Sequence, residues 1–284
     1  MFAKNKFFYK LIAYASILMV LITYIVIAKR NYTNEIKKQQ VIAHAMGSID
    51  KKTYTNSLEA FQENYNKGIR IFEVDLVMTS DKHLVLRHYW NKNELNKGNL
   101  NDKLSLKEFK NSKILNKYTP IDFDLLLDLL EKNKDVFFIL DIKETNRKAI
   151  KESFSYIDKK LKTRNKEIVN RIIPQILSEE MYYDLKEIRE FPIVFYGLYT
   201  TKVSEEEEKI IKFIKNENIF AVSMWGYDFN DEFIKKVKDT NINVYVHTIN
   251  SKDDAIKFIK KGADGIYTDY LNIDDINITL NTKT

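Results

Sequence analysis

Eight short apolar runs separated by helix-like segments constrain the fold of this chain more than any other feature. A continuous apolar run of this kind is typical of a strand that is buried on both faces, as in a parallel sheet. The predicted strands are Val41–Met46, Ile71–Val77, Val136–Ile142, Arg171–Leu177, Ile193–Leu198, Phe220–Met224, Asn243–His247 and Gly265–Thr268.

Amphipathic segments that we predict as helices fill the intervals between these strands. Gly68 and Gly262 follow two of them, at the position where a glycine often ends a helix. The predicted helices are Ser57–Lys67, Phe123–Asn133, Arg147–Lys162, Ser178–Glu190, Ser204–Asn216, Asp231–Asp239 and Lys252–Lys261.

Eight strands that alternate with helices over about 240 residues predict a single TIM (β/α)8 barrel. The alternative is a doubly wound open sheet, which usually carries a glycine-rich turn after its first strand. The lone Gly47 is not such a turn. We therefore expect one α/β barrel at residues 41–272, with a tail at 273–284. The segment Tyr89–Pro120 is longer than an ordinary βα loop and could serve as a lid or a docking surface.

The N-terminal segment Leu11–Ala28 comprises 18 residues without a charge. As a helix it would be about 27 Å long, close to the thickness of a bilayer core. No small-residue cleavage site stands out at its end, so we expect an uncleaved transmembrane anchor at residues 1–30 and a linker at 31–40. Basic residues flank both sides and do not decide the orientation. We expect a single-pass protein of the cell membrane whose catalytic domain lies outside the cytoplasm.

The net charge of +6 is concentrated in the predicted anchor, because residues 1–30 contain five basic residues and no acidic one. The remaining chain is nearly neutral, which gives no indication of nucleic-acid binding. The chain has no cysteine, which excludes disulfides, zinc–thiolate sites and thiol nucleophiles. The oligomeric state stays open.

Two pairs of charged residues lie on predicted strands or directly at a strand end. Glu73 and Asp75 are two residues apart, so their carboxylates point to the same face of a buried strand. Such a pair is costly, because the charges repel each other and lose hydration. A bound cation would remove both costs, and pairing with Lys or Arg is the alternative. Asp141 and Lys143 have the same spacing and could be an ordinary ion pair.

Three of the four histidines lie at the ends of predicted strands, where the active site of a TIM barrel is found. They are His44, His247 and His88, which ends the strand that follows a predicted hairpin at Ser80–Lys82. Each alone could be a core histidine with a structural hydrogen bond. His83 is expected at the surface, and Asp269 is expected to cap a turn.

Together these residues suit the chemistry of a phosphodiester. Three carboxylates can hold a hard divalent cation such as Ca²⁺ or Mg²⁺, which take oxygen ligands. Two imidazoles can serve as general acid and general base, because their pKa lies near neutrality. A cation and a lysine would neutralise the phosphoryl oxygens of an anionic substrate.

Several motifs, taken in order, resemble the glycerophosphodiester phosphodiesterase family. The family pattern runs His-Arg-Gly, Glu-Asn-Thr-x-x-Ala-Phe, Glu-x-Asp, Thr-x-Asp-Gly and His-Asp. The corresponding segments here are His44–Gly47, Thr55–Phe61, Glu73–Asp75, Thr79–Asp81 and His88. Val244–Asn250 and Gly262–Asp269 resemble the family's last two strands, so the likeness spans about residues 41–270.

The resemblance implies a TIM barrel and a role for each candidate residue. The divalent cation, Ca²⁺ or Mg²⁺, would be held by Glu73, Asp75 and Asp141. His44 and His88 would be the general acid and base, with a neighbouring substrate hydroxyl attacking phosphorus. The residues that would bind the substrate or its phosphate are Lys143, Asn56 and His247.

The chain departs from the family pattern at several positions. Ala45 replaces the arginine after the first histidine, and Thr55 replaces the glutamate before Asn56. Asp141 stands where the family usually has Glu, although the related sphingomyelinase D branch also has Asp-x-Lys. Tyr89 replaces an aspartate, and His247 stands where tryptophan is common.

The expected function is that of a membrane-anchored, metal-dependent phosphodiesterase. Its substrate would be a glycerophosphodiester, a lysophospholipid or an envelope glycerol phosphate. Two alternatives stay open. One is a phospholipase of the phosphatidylinositol-specific C or sphingomyelinase D type, and the other is a catalytically silent barrel that acts as a binding module.

Overall fold

Eight parallel strands close into a barrel in the computed structural model, which describes residues 14–19, 23, 31–90 and 103–280. The parallel strands are neighbours in the order β1-β9-β8-β7-β6-β5-β4-β2, and pairing of β1 with β2 closes the ring. The short β3 is antiparallel to β2 and forms the predicted hairpin. The strands are β1 (Val41–Ala43), β2 (Ile71–Met78), β3 (Leu84–Leu86), β4 (Phe137–Ile142), β5 (Ile172–Ile176), β6 (Phe195–Gly197), β7 (Ala221–Trp225), β8 (Asn243–His247) and β9 (Gly265–Thr268). The predicted TIM barrel is confirmed.

Amphipathic helices alternate with these strands, and each predicted helix is present. Most of them begin after a Ser, Asp or Asn side chain that accepts a hydrogen bond from a backbone N–H of the first turn, which is the usual N-cap arrangement. Gly68 and Gly262 adopt the left-handed conformation, with φ of 91° and 106°. The helices are Leu58–Asn66, Leu106–Lys110, Phe123–Lys132, Arg147–Leu161, Glu179–Ile188, Val203–Asn216, Asp231–Lys238, Lys252–Lys260 and Ile273–Leu280.

Successive side chains of β2 point alternately to the hydrophobic layer between strands and helices and to the barrel interior. Phe72 points outward and packs against Phe61 of the helix Leu58–Asn66, with ring centroids 4.9 Å apart. Glu73 and Asp75 therefore point to the barrel interior, since successive side chains on a strand face opposite sides. All eight residues of β2 are buried, as expected for a strand covered on both faces.

The structure corrects one predicted element boundary and shows helix within two segments for which no secondary structure was predicted. The strand predicted at Val41–Met46 ends at Ala43, and residues 44–46 form a 3₁₀ turn in which Ala45 and Met46 have positive φ. The residues predicted as a tail at 273–284 contain the helix Ile273–Leu280. The predicted linker at 31–40 is helical over residues 31–37.

The chain divides into two compact units, residues 1–38 and residues 39–284. The predicted anchor Leu11–Ala28 lies mostly outside the described residues. Within the part of the chain that the structure describes, no helix has the length and apolar character needed to span a membrane. Of the long segment Tyr89–Pro120, residues 91–102 also lie outside the described part.

Candidate active site

Three carboxylates meet where β2 and β4 run side by side. Asp75 and Asp141 are direct partners in the parallel register, and Glu73 precedes Asp75 by two residues on the same face. One oxygen from each lies within 4.8 Å of the others, and all three residues are buried. Among the described residues, Oδ1 of Asp141 has no hydrogen-bond partner. Buried carboxylate oxygens this close together fit a hard divalent cation such as Mg²⁺ or Ca²⁺.

The loop after β1 holds two of these carboxylates in place. The backbone N–H of Ala45 donates to Oε2 of Glu73 at 2.7 Å. The Asn56 side chain donates to Oδ2 of Asp75 at 2.8 Å, and its carbonyl accepts from the Asp75 N–H at 3.1 Å. Both Ala45 and Asn56 have φ of 47°, so the loop reaches the carboxylates through left-handed residues. Asn56 thus lies in the predicted site and orients a carboxylate.

Lys143 supplies the positive charge nearest to the cluster. Its ammonium forms ion pairs with Oδ1 of Asp75 at 2.8 Å and with Asp141. Burial, followed by repulsion from Asp75, raises the pKa of Glu73, and burial raises the pKa of Asp141. Burial acts in the same direction on Asp75, but Lys143 and the two nearby histidines outweigh it and lower the pKa of that carboxyl. One ammonium does not balance three carboxylates, and a cation would neutralise the excess charge.

His44 follows β1 and is fixed by the residue that follows β9. Its Nδ1 hydrogen-bonds with Oδ1 of Asp269 at 2.8 Å. Asn250 donates to the other oxygen of Asp269 at 2.7 Å and accepts from its N–H at 2.8 Å. Burial alone would lower the pKa of His44, but the bond to Asp269 and the carboxylates of the cluster outweigh burial and raise it. This arrangement favours the protonated ring and directs Nε2 away from Asp269.

The second predicted catalytic histidine, His88, lies on the other side of an aromatic ring. The ring of Tyr54 contacts His44 and His88 edge-on, with centroid distances of 4.6 Å and 4.9 Å. Just before His88, the N–H of Arg87 donates to the carbonyl of Asp75 at 2.9 Å, which fixes the end of the hairpin against β2. The structure therefore brings both histidines to the same end of the barrel as the carboxylates.

His247 packs inside an aromatic cluster next to His44. Its ring centroid lies 4.6 Å from that of His44, 4.8 Å from that of Tyr199 and 4.9 Å from that of Trp225. Burial, and then the positive charges of His44 and Lys143, lower the pKa of His247. His247 is therefore a neutral ring at neutral pH, and a contact with phosphate stays a prediction. His83 lies apart from this group and contacts the Tyr156 hydroxyl at 3.3 Å.

Three members of the site were not foreseen as such. Asp269 was expected to cap a turn, and instead it is the hydrogen-bond partner of His44. Asn250 and Tyr54 were not singled out. The available signal was positional, since Asn250 and Asp269 both come shortly after predicted strands, where a TIM barrel places functional residues.

Comparisons with known proteins agree on one family. The profile of the glycerophosphoryl diester phosphodiesterase family matches residues 48–273. A glycerophosphodiester phosphodiesterase from Caldanaerobacter subterraneus subsp. tengcongensis is 26% identical over 242 residues, which cover 82% of this chain and 94% of that protein.

Solved structures show the same fold. A phosphodiesterase from Oleispira antarctica, in complex with the product sn-glycerol-3-phosphate, superposes with a TM-score of 0.66 at 17% identity, covering 86% of this chain and 97% of the other. A glycerophosphodiester phosphodiesterase from Parabacteroides distasonis superposes with a TM-score of 0.65 at 17% identity, covering 86% and 98%.

The fold and the family match define the class of protein, which is a TIM-barrel hydrolase of phosphoric diesters. More particularly, the chain belongs to the glycerophosphoryl diester phosphodiesterase family, whose profile covers most of its length.

Proposed function

We propose that this chain hydrolyses a glycerophosphodiester-type bond with a divalent cation, Mg²⁺ or Ca²⁺, held by Glu73, Asp75 and Asp141. The observation that carries the proposal is the convergence of three buried carboxylates within 4.8 Å of one another. When bound, the cation would offset negative charge on the phosphoryl oxygens. Lys143, which pairs with two of the carboxylates, would add a second positive charge on the same side.

His44 and His88 are proposed to move the protons. His44 is held by Asp269 with a raised pKa, so it begins protonated and gives its proton to the leaving oxygen as the P–O bond breaks. His88 takes the proton from the attacking oxygen, which is a neighbouring hydroxyl of the substrate or a water. When a substrate hydroxyl attacks, the first step forms a cyclic phosphate and releases the alcohol, with one proton taken up by His88 and one given by His44. Water then opens the cyclic phosphate in a second step, in which His44 takes a proton from the water and His88 gives one to the departing ring oxygen, so both rings return to their starting states. When water attacks directly, there is a single step and the two rings exchange protons with solvent afterwards.

Replacing either histidine should remove most of the activity. We expect His44→Ala and His88→Ala to lower kcat by about 10²-fold or more, because general acid–base catalysis contributes about that much. Circular dichroism and unfolding temperature should stay close to those of the wild type. Wild-type rates in both variants would contradict the assignment of these two residues.

Product analysis tests the reaction itself. The full chain, purified in detergent, would be incubated with glycerophosphodiesters, lysophospholipids and phospholipids in the presence of Ca²⁺, Mg²⁺ or EDTA, and the products followed by phosphorus NMR. Release of glycerol phosphate that EDTA abolishes is the expected result. Release of a phosphorylated headgroup would favour the phospholipase alternative. The absence of both turnover and metal binding would favour the silent barrel.

We also propose that Leu11–Ala28 anchors the enzyme in the cell membrane with the barrel outside the cytoplasm. The support is the 18-residue run without a charge. An anchored barrel would suit lysophospholipid or envelope glycerol-phosphate substrates. The full chain should remain with membranes in alkaline carbonate, and added protease should digest the barrel in intact cells. A chain beginning at residue 31 should be released, and retention of that chain would contradict the anchor.

A further inference from the structure

The side chain of Tyr54 stands between the two histidines to which we assign proton transfer. It makes edge-on ring contacts with His44 at 4.6 Å and with His88 at 4.9 Å. To exchange protons with both rings, the reacting phosphoryl group must lie within hydrogen-bond reach of each. A side chain that touches both rings therefore borders the position of that group.

The hydroxyl of Tyr54 lies among the charges of the site. Burial, followed by the nearby carboxylates of Asp269, Asp75 and Glu73, raises the pKa of Tyr54 to about 12. The phenol therefore keeps its proton at any pH at which the two histidines can work, and it can act as a hydrogen-bond donor. A protonated phenol also adds no negative charge next to an anionic substrate.

The backbone at Tyr54 adds an independent observation. Its φ is 60°, in the left-handed region that a residue with a bulky side chain seldom adopts. Such strain persists only where the surrounding structure imposes it, and it concentrates at functional sites. The loop thus holds a tyrosine at a position where a glycine or an asparagine would be less strained.

Three donors next to the carboxylates are directed at them rather than toward the gap between the histidines. The N–H of Ala45, next to His44, donates to Glu73 at 2.7 Å. The Asn56 amide donates to Asp75 at 2.8 Å, and the Lys143 ammonium pairs with two carboxylates. A phosphodiester brings two non-bridging oxygens that need donors, and a metal ion together with one lysine would satisfy them only in part.

We propose that the Tyr54 hydroxyl donates a hydrogen bond to a non-bridging phosphoryl oxygen of the substrate, which makes Tyr54 a phosphate-binding residue. The inference rests on the proposed function, because it places the phosphoryl group between His44 and His88. In this proposal the ring of Tyr54 positions the two imidazoles, and its hydroxyl binds the phosphate. The opposing possibility is a ring that blocks the gap between the histidines and must move before the substrate can enter.

The first test removes only the hydroxyl. In the full chain with Mg²⁺, Tyr54→Phe should lower kcat/KM for sn-glycero-3-phosphocholine by about 10- to 100-fold, the usual effect of losing a hydrogen bond to a charged group. Mg²⁺ affinity, measured by calorimetry, should not change. Tyr227→Phe is the matched control, because Tyr227 is 81% exposed and its ring stacks on Trp225. Tyr227→Phe should retain wild-type turnover.

The second test measures phosphate binding without turnover. Inorganic phosphate, titrated into the Mg²⁺-loaded proteins and followed by phosphorus NMR, should bind Tyr54→Phe about 10-fold or more weakly than it binds the wild type or Tyr227→Phe. Equal phosphate affinity in the wild type and Tyr54→Phe would overturn the proposal, even if the wild type is an active phosphodiesterase. A Tyr54→Ala variant that is faster than the wild type would also overturn it, by identifying the ring as a block.

The two proposals fail separately. A wild-type protein without EDTA-sensitive turnover would contradict the proposed function, while phosphate binding that depends on the Tyr54 hydroxyl would still support the contact. A wild type that shows EDTA-sensitive turnover but binds no phosphate would contradict the contact alone.

Discussion

Burial alone would lower the pKa of His44, but a single aspartate, Asp269, fixes the ring and helps to raise that pKa. Asp269 accepts from Nδ1 of His44 and is itself held by the side chain of Asn250. Such a partner fixes the ring orientation and favours the imidazolium, which is what a general acid requires. In the proposed mechanism Asp269 acts through His44 and is therefore a positioning residue.

Replacing Asp269 should move the pH profile of the reaction. In the proposed mechanism His44 is the general acid and must be protonated, so activity should be lost as the pH rises through its pKa. Asp269→Asn removes the bond and the charge that raise this pKa, and the alkaline limb of kcat/KM should move to lower pH. Above the pKa of His44, its protonated fraction falls about tenfold for every further pH unit. The measurement is kcat/KM against pH at saturating Mg²⁺.

Asp264→Asn is the control for this variant. Asp264 precedes β9, at the opposite end of the strand from Asp269, and pairs with Lys238. It should leave the profile in place even if it lowers stability. An alkaline limb that stays in place in Asp269→Asn would mean that His44 is not the group that titrates there.

The part of the site formed by residues close together in the sequence could be predicted, and the part formed by residues far apart in the sequence could not. Glu73 and Asp75 lie on one strand, and their shared face follows from the two-residue period of the strand. Asp269 and His44 are 225 residues apart. Their contact depends on barrel closure, which no local pattern encodes. The role of Tyr54 could not be predicted for a different reason. Tyrosine seldom adopts the left-handed backbone conformation, so nothing in the sequence indicated the loop shape that places Tyr54 in the site.

At the scale of elements, hydrophobic periodicity located all eight barrel strands, because each of them is buried on both faces. The end of β1 was less predictable. Val41–Met46 is apolar apart from His44, but Ala45 and Met46 turn into the left-handed region so that the loop can reach the carboxylates. The turn toward Glu73, rather than low strand propensity, ends this strand.

An ion pair between a buried carboxylate and two exposed basic side chains joins two neighbouring helices of the outer layer. Asp184, on the helix Glu179–Ile188, receives two hydrogen bonds of 2.8 Å from the Arg147 guanidinium and one of 3.2 Å from Lys151. Asp184→Asn should lower the free energy of unfolding by about 1–3 kcal/mol, because it weakens charge-assisted bonds at a carboxylate that is 1% exposed. Chemical denaturation measures the difference.

The same pair predicts how stability depends on pH. The bond to Arg147 is the main cause that lowers the pKa of Asp184. A lowered folded-state pKa stabilises the fold above the unfolded-state pKa, and this contribution disappears as the pH falls through the folded-state pKa. The stability gap between the wild type and Asp184→Asn should therefore close in acid. Glu180→Gln is the control, since Glu180 pairs with the same Arg147 but is exposed, and its effect should stay small. A gap that persists in acid would exclude the ion pair as its cause.

At the scale of the whole molecule, the barrel carries a concentration of negative charge in its own interior. Glu73, Asp75 and Asp141 are all buried, and Lys143 pairs with two of them. This arrangement costs stability in the absence of metal, because buried like charges repel each other. The carboxylate cluster therefore lowers the free energy of unfolding of the metal-free protein.

Metal should stabilise the folded protein, and removing one carboxylate should abolish the effect. A ligand at a hundredfold excess over its Kd contributes about 2.7 kcal/mol, which raises Tm by roughly 5–10 °C for a domain of this size. We expect this rise on addition of Mg²⁺ or Ca²⁺ to the wild type and its absence in Glu73→Gln. Without metal, Glu73→Gln should be at least as stable as the wild type, because it removes a repelling group. Differential scanning calorimetry with and without EDTA measures both effects.

The outcome that contradicts this prediction is a metal-induced rise in Tm that survives in Glu73→Gln. Such a result would place the cation elsewhere in the chain. Asp135→Asn is a useful comparison, because Asp135 is an exposed carboxylate that pairs with Arg70 and should respond to metal as the wild type does.

The pairing of β1 with both β2 and β9 has a consequence for biosynthesis. The chain leaves the ribosome from its N-terminus, so β1 must wait for the last strand of the barrel before its second edge is covered. Pairing between such distant segments is slow and comes late in folding. His44, at the end of β1, acquires Asp269 only at that moment. In the proposed mechanism, a nascent chain, or one cut short before β9, holds Glu73, Asp75 and Asp141 but lacks both the closed barrel and the partner of His44, so the enzyme would become active only when the polypeptide is complete.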